Sequence, residues 1–134
     1  MGENVPPSTT KPLLILIVDD DTFIVELLAE LVMEMGYTPL VAYDGEQALA
    51  VAREHWPALV ITDQVMPILS GIELIRALRV EATARKTVSP PIVLLSGAER
   101  LERLDVDVEA KLAKPFDLGE LEQVIQRLCE RASS

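Results

Sequence analysis

The chain has 134 residues, with 22 acidic against 12 basic side chains and a formal charge of −10 with its one histidine neutral. That balance excludes a general nucleic-acid or anionic-membrane binder, which needs a basic face. A hydrophobic share of 49% with 25% charged residues fits a globular chain, not a disordered one, and the length suits a single domain with one core.

Residues 1–12 (MGENVPPSTTKP) are rich in Pro, Ser and Thr without periodicity and read as a flexible tail. Leu13 to Val18 is an unbroken apolar run, the pattern of a strand covered on both faces, and it leads straight into Asp19, Asp20 and Asp21. Ile24, Leu27, Leu28, Leu31, Val32 and Met35 then fall on one helical stripe, which Gly36 should terminate. Leu40 to Tyr43 is a short second strand. Asp44 with Gln47 forms a capping-box variant for a helix through Ala48, Leu49, Val51 and Ala52, broken by Pro57. Ala58 to Thr62 is a third strand ending on Asp63.

After the loop from Gln64 to Leu69, Ser70 and Glu73 make an S-x-x-E box that opens a helix with Leu74, Ile75 and Leu78 inward. Glu81 to Pro91 is polar and proline-terminated, and reads as a loop. Ile92 to Leu95 is the fourth strand, followed by Ser96 and Gly97. Ala98 to Val108 is short and charged, with Leu101 and Leu104 as its only candidates for a core. Ala110 to Ala113 is a weak fifth strand ending on Lys114. Asp117 and Glu120 cap a last helix whose inner face is Leu118, Leu121, Val124, Ile125 and Leu128. No apolar run reaches the ~18–20 residues of a membrane span, and no signal-peptide core opens the chain. Cys129, the single cysteine, permits neither an internal disulfide nor a cysteine metal cluster. A cytoplasmic location is expected.

Five strand–helix pairs in alternation imply right-handed crossovers and a three-layer, doubly wound parallel sheet. All strand ends then share one edge, where open α/β sheets bind ligands. Asp19, Asp20, Asp63, Ser96 and Lys114 meet there. Any one of them is ordinary loop polarity; the set is not, because unit charges 4 Å apart repel by about 4 kcal/mol at an effective dielectric of 20. Mg²⁺ answers that repulsion as a hard cation that takes oxygen ligands and keeps waters. Asp63, set apart from the acidic pair, is the natural nucleophile toward a phosphoryl group. The Ser96 hydroxyl and the Lys114 ammonium can meet the phosphoryl oxygens.

An acidic pair after strand one, Asp63-x-x-Met66-Pro67-x-x-x-Gly71 after strand three, Ser96-Gly97 after strand four and Lys114-Pro115-Phe116 after strand five resemble the receiver domain of two-component response regulators. The resemblance covers about residues 13–131. It implies a flavodoxin-like fold with strand order 2-1-3-4-5 and a phosphoryl group accepted on Asp63 from a histidine kinase or phosphotransfer protein. It further implies Mg²⁺, with Mn²⁺ as a substitute, on Asp19, Asp20, Asp63 and the Val65 carbonyl, and a cis Lys114–Pro115 peptide. Such a domain modifies itself, is not a turnover enzyme, and signals by changing its affinity for a protein partner or a second copy, here around the last helix. It is either stand-alone or excised from a longer protein.

The sequence departs from that family in three places. Lys111 stands where an aromatic is common, and a lysine is not readily buried. The segment between Ser96 and Lys114 is about one turn short, so the fourth helix should be shortened or irregular. Ser70 replaces a common acid and still suits an N-cap. Two other functions compete: a phosphorylation-independent interaction module on this scaffold, and a haloacid-dehalogenase-type phosphatase, since Asp19-Asp20-Asp21 contains D-x-D. Phe23 stands where that second family wants Thr or Val, and there is little room for a substrate cap. His55 is expected at a helix end, Cys129 in packing, and Asp21 at the start of the first helix. Arg100, Arg103 and the pair Arg85–Lys86 read as solvated charge.

Overall fold

Successive residues of the first strand, Leu14–Val18 (β1), lie on opposite faces of a sheet, and both faces are apolar. Ile15 and Ile17 enter one core with Val25, Leu28 and Val32 of the helix Thr22–Glu34 (α1). Leu16 and Val18 enter the other, with Ala48 and Ala52 of the helix Gly45–Glu54 (α2) and Leu74, Ile75 and Leu78 of the helix Gly71–Ala84 (α3). The computed structural model describes residues 12–133; apart from Pro12, the tail expected at the N-terminus lies outside them.

The remaining elements are strands Thr38–Ala42 (β2), Leu59–Asp63 (β3), Ile92–Gly97 (β4) and Ala110–Lys114 (β5), with helices Ala98–Arg103 (α4) and Leu118–Ser133 (α5). The five strands are parallel and ordered β2-β1-β3-β4-β5. Leu121, Ile125 and Leu128 place α5 beside α1, while α2 and α3 cover the opposite face, so helices lie on both sides. This is the doubly wound architecture expected from the alternation, with the flavodoxin-like strand order that the resemblance implied.

Helix ends follow their local chemistry. Asp21 Oδ1 accepts from Phe23 N at 3.0 Å, Asp44 Oδ1 from Gln47 N at 2.7 Å, and Asp117 Oδ1 from Gly119 N at 2.7 Å. Ser70 and Glu73 form the full reciprocal box. Among the described helices α4 alone begins without a side-chain cap, on Gly97. Gly36 sits at φ 93°, with Tyr37 N on Val32 O and Gly36 N on Met33 O, the double closure of a Schellman turn.

Two expectations are corrected. The polar stretch Glu81 to Pro91 is loop only from Arg85 on: α3 continues to Ala84, because Ala82 extends its buried stripe and is 3% exposed. The terminator is Lys86 at φ 57°, with Thr87 N on Ala82 O, not the composition of the segment. Arg85 is not free solvated charge either. Its guanidinium lies 4.6 Å from the centre of the Trp56 ring and donates to Glu81 Oε2 at 3.0 Å and to the Arg53 carbonyl at 2.6 Å, fastening α3 to α2. Arg53 completes the seam on Glu81 Oε1 at 3.2 Å. His55 is the C-cap of α2, exposed beside Glu54, and Cys129 is buried against α1, both as expected.

Candidate functional site

The strand ends supply the site. Asp19 directly follows β1 and keeps its backbone N on Ala42 O at 3.3 Å, so its carboxylate is fixed by the sheet. It is 1% exposed. Asp63 is the last residue of β3, opposite Leu95 in register, and its neighbour Gln64 donates to the Leu95 carbonyl at 2.9 Å. Ser96 therefore follows the residue paired with Asp63. Lys114 closes β5, and the Lys114–Pro115 peptide is cis.

One carboxylate oxygen from each of Asp19, Asp20 and Asp63 can be chosen so that all lie within 4.8 Å of one another. Lys114 Nζ is 2.7 Å from Asp19 Oδ2 and 3.4 Å from Asp63 Oδ1. A single ammonium thus faces three acids, leaving a formal excess of negative charge. Burial pushes the Asp63 carboxyl above its usual range and Asp19 adds to the push, while Lys114 and the Gln64 backbone N–H work against it. For Lys114 burial is the largest influence and lowers its pKa, but Asp19 and Asp63 together outweigh it, and the ammonium ends up held more firmly than usual.

The donor set is all oxygen, clustered and anionic, which fits a hard divalent cation such as Mg²⁺ and not a thiophilic metal. The Ser96 hydroxyl, like that of Ser89 elsewhere, is buried without a protein hydrogen-bond partner, which leaves it free to donate to a ligand oxygen on this edge. Asp20 is exposed and open to water. Val65 lies in the loop after β3 with half its side chain exposed. Asp21 turns away to cap α1, its own N–H held by Asp19 Oδ1 at 3.0 Å.

Several further residues position the site, and of them the motif after β3 singles out only Gly71 in the sequence. Gln64 clamps the loop after β3: its carbonyl accepts from Gly71 N and its side-chain Oε1 from Ile72 N, both at 2.9 Å. A Cβ on Gly71 would stand 2.5 Å from the Asp63 carbonyl oxygen, so only glycine lets α3 start this close to Asp63. Gly45 plays the same part against Leu69, whose Cβ would be 2.5 Å away. The buried Thr62 hydroxyl donates to the Asp63 carbonyl at 2.9 Å. Thr62 left a fainter signal, a polar residue inside an apolar strand.

Residues 15–126 match the family model for the response regulator receiver domain. The chain belongs to that family. As a receiver it is 35% identical over 122 residues to the transcriptional regulatory protein CpxR of Klebsiella pneumoniae, covering 88% of this chain and 50% of that protein. It is 35% identical over 130 residues to the response regulator MprA of a Mycobacterium strain, covering 91% of this chain and 53% of the relative. The receiver thus spans about half the length of the curated relatives it matches. In three dimensions it resembles the chemotaxis protein CheY4 of Vibrio cholerae, with TM-score 0.75 and 29% identity over 88% of this chain and 99% of that one. The receiver domain of the Francisella response regulator 1452 gives TM-score 0.74 and 27% identity, covering 89% of this chain and 98% of that one. Among the receiver's described residues no helix is long and apolar enough to cross a membrane.

Proposed function

We propose that residues 13–131 form a phosphoacceptor switch in which Asp63 takes a phosphoryl group from a phosphohistidine on a kinase or phosphotransfer protein. The observation that carries this reading is Lys114 Nζ poised between Asp19 and Asp63 in a carboxylate cluster beside the unpartnered Ser96 hydroxyl. An Asp63 oxygen attacks phosphorus, the O–P bond forms as the N–P bond breaks, and the imidazole leaves with a proton. The Thr62 hydroxyl holds the Asp63 carbonyl and Gln64 fastens the next residue to β4 and to the start of α3, so the backbone that carries the Asp63 carboxylate is set before the donor arrives. Lys114 and Ser96 donate to the phosphoryl oxygens once they are in place.

Asp19, Asp20, Asp63 and the Val65 carbonyl would hold Mg²⁺ or Mn²⁺, which when bound supplies charge neutralisation for an incoming phosphoryl group. The chain is then its own substrate and not a turnover enzyme, and the reading places it in the cytoplasm with the ATP-charged kinase. Phosphorylation biases the loops after β3, β4 and β5 toward one arrangement and changes affinity for a protein partner or a second copy around α5.

Incubation with Mg²⁺ and acetyl phosphate, followed by intact-mass measurement, should show one added phosphoryl group on the wild type and none on Asp63→Asn. No added group on the wild type, or equal labelling of the variant, overturns the proposal in favour of a phosphorylation-independent module.

A further inference from the structure

Among the described residues four polar or charged side chains are buried: Asp19, Thr62, Asp63 and Ser96. Three of them form the acidic edge; Thr62 is the fourth and has no accessible surface. It stands in the sheet between Val18 of β1 and Leu94 of β4, both apolar. Those two neighbours and Val60, two residues before it, face the core beneath α2 and α3 with Leu74 and Ile75. Valine has the shape of threonine and would fill that place with no hydroxyl to desolvate. Packing therefore gives no reason for the hydroxyl. Its hydrogen bond does: Oγ1 donates to the carbonyl of Asp63, the next residue, at 2.9 Å.

That carbonyl lies at a crowded junction. A Cβ on Gly71, the first residue of α3, would stand 2.5 Å from it, so the start of the helix presses on the same oxygen. The groups that follow are fixed as well. Gln64 N donates to the Leu95 carbonyl, while the Gln64 carbonyl accepts from Gly71 N and its Oε1 from Ile72 N, all at 2.9 Å. Thr62 thus pins the near end of the segment 63–65 and Gln64 its middle. This segment carries both the Asp63 carboxylate and the Val65 carbonyl. We infer that Thr62 is a positioning residue for a divalent cation: its hydroxyl holds the Asp63 peptide in the orientation that brings an Asp63 oxygen within 4.8 Å of oxygens from Asp19 and Asp20. Thr62 touches neither cation nor phosphodonor and acts through Asp63. The inference rests on the cation half of the proposed function and not on phosphoryl transfer.

Two substitutions separate the hydroxyl from the shape. Thr62→Val keeps the branched side chain and removes the donor; Thr62→Ser keeps the donor and removes a methyl group. Both should melt below wild type in EDTA, the first through a carbonyl that has lost its donor, the second through a small cavity. Calorimetric titration of Mg²⁺ into the full chain, well below either melting temperature, should part them. Affinity should fall about two- to tenfold in Thr62→Val, the factor of one net hydrogen bond, and stay near wild type in Thr62→Ser. Thr62→Ala, which loses both groups, should bind as weakly as Thr62→Val. Equal affinity in wild type and Thr62→Val overturns the inference. So does a loss in Thr62→Ser as large as in Thr62→Val, which would make packing the cause. A wild type that takes up no Mg²⁺ overturns the cation site and the inference together. With acetyl phosphate, the Mg²⁺ concentration for half-maximal labelling of Asp63 should rise in Thr62→Val by the same factor as the dissociation constant, and an unchanged requirement overturns the inference. Absence of labelling on the wild type overturns the phosphoacceptor reading alone, and the calorimetry still decides Thr62.

Discussion

At Cys129, burial acts on a titratable group remote from the acidic edge. The thiol is 1% exposed on the inner face of α5, and burial pushes its pKa from 9.0 up to about 11, with a hydrogen bond from Tyr37 pulling slightly the other way. A raised acid pKa in the folded state means the unfolded chain releases its proton first. The stabilising contribution is therefore complete below pH 9 and is lost as pH climbs to about 11. In urea titrations from pH 8 to 10.5 the wild type should lose up to about 2 kcal/mol more than Cys129→Ala, whose own cavity penalty does not vary with pH. At the same scale the candidate site was legible only in part. Asp19, Asp20, Asp63, Ser96 and Lys114 announce themselves as polar residues closing apolar runs. Gln64 and Gly45 do not, because a side-chain clamp on a helix start and a missing Cβ against Leu69 leave no periodic trace.

The carboxylate and Ser70 caps read from the sequence are all present, since a cap depends on neighbours two or three residues away. The C-terminus of α3 was misplaced because its stop is Lys86 in the left-handed region, a conformation that lysine does not advertise. The Schellman closure there is the same as at Gly36, but with a Cβ that the conformation disfavours by roughly 1–2 kcal/mol. Lys86→Gly should therefore raise stability by about 0.5–1 kcal/mol in urea unfolding, the gain being trimmed by the greater freedom of glycine in the unfolded chain. An unchanged or lowered midpoint would mean that the Lys86 side chain contributes more than its backbone strain removes. The short α4 was foreseeable from the Ser96–Lys114 spacing set against the receiver family's usual length; its attachment through Lys111 and Arg79 to backbone carbonyls was not.

Across the whole molecule, the sheet trades stability for a charged edge. Asp63 is placed where its ionised form is disfavoured by burial and by Asp19, so at neutral pH, above the unfolded carboxylate range, the folded state bears a penalty. Asp63→Asn should accordingly melt a few degrees higher than wild type in EDTA. Mg²⁺ at ten times its dissociation constant should raise wild-type stability by about 1.4 kcal/mol and Asp63→Asn by much less. A variant that melts lower than wild type in EDTA would show that the Lys114 contact outweighs the burial. The layered parallel fold was legible because strands and helices repeat one alternation, most clearly at the buried β1, β3 and β4, whereas the partly exposed β2 and β5 were fainter and the strand order came only with the family resemblance.

The Arg85–Trp56 stack has a practical consequence for spectroscopy. Trp56 is the only tryptophan, and it precedes the amino end of β3, whereas Asp63 closes the carboxyl end. The strand between them spans roughly 17 Å at ~3.3 Å per residue. Intrinsic emission from this chain is therefore a local gauge of the α2–α3 seam, with a guanidinium 4.6 Å from the fluorophore. It is well suited to timing when that seam parts during unfolding. An emission change on adding a cation or phosphodonor would be a signal carried along the length of the sheet, not direct quenching at the acidic edge.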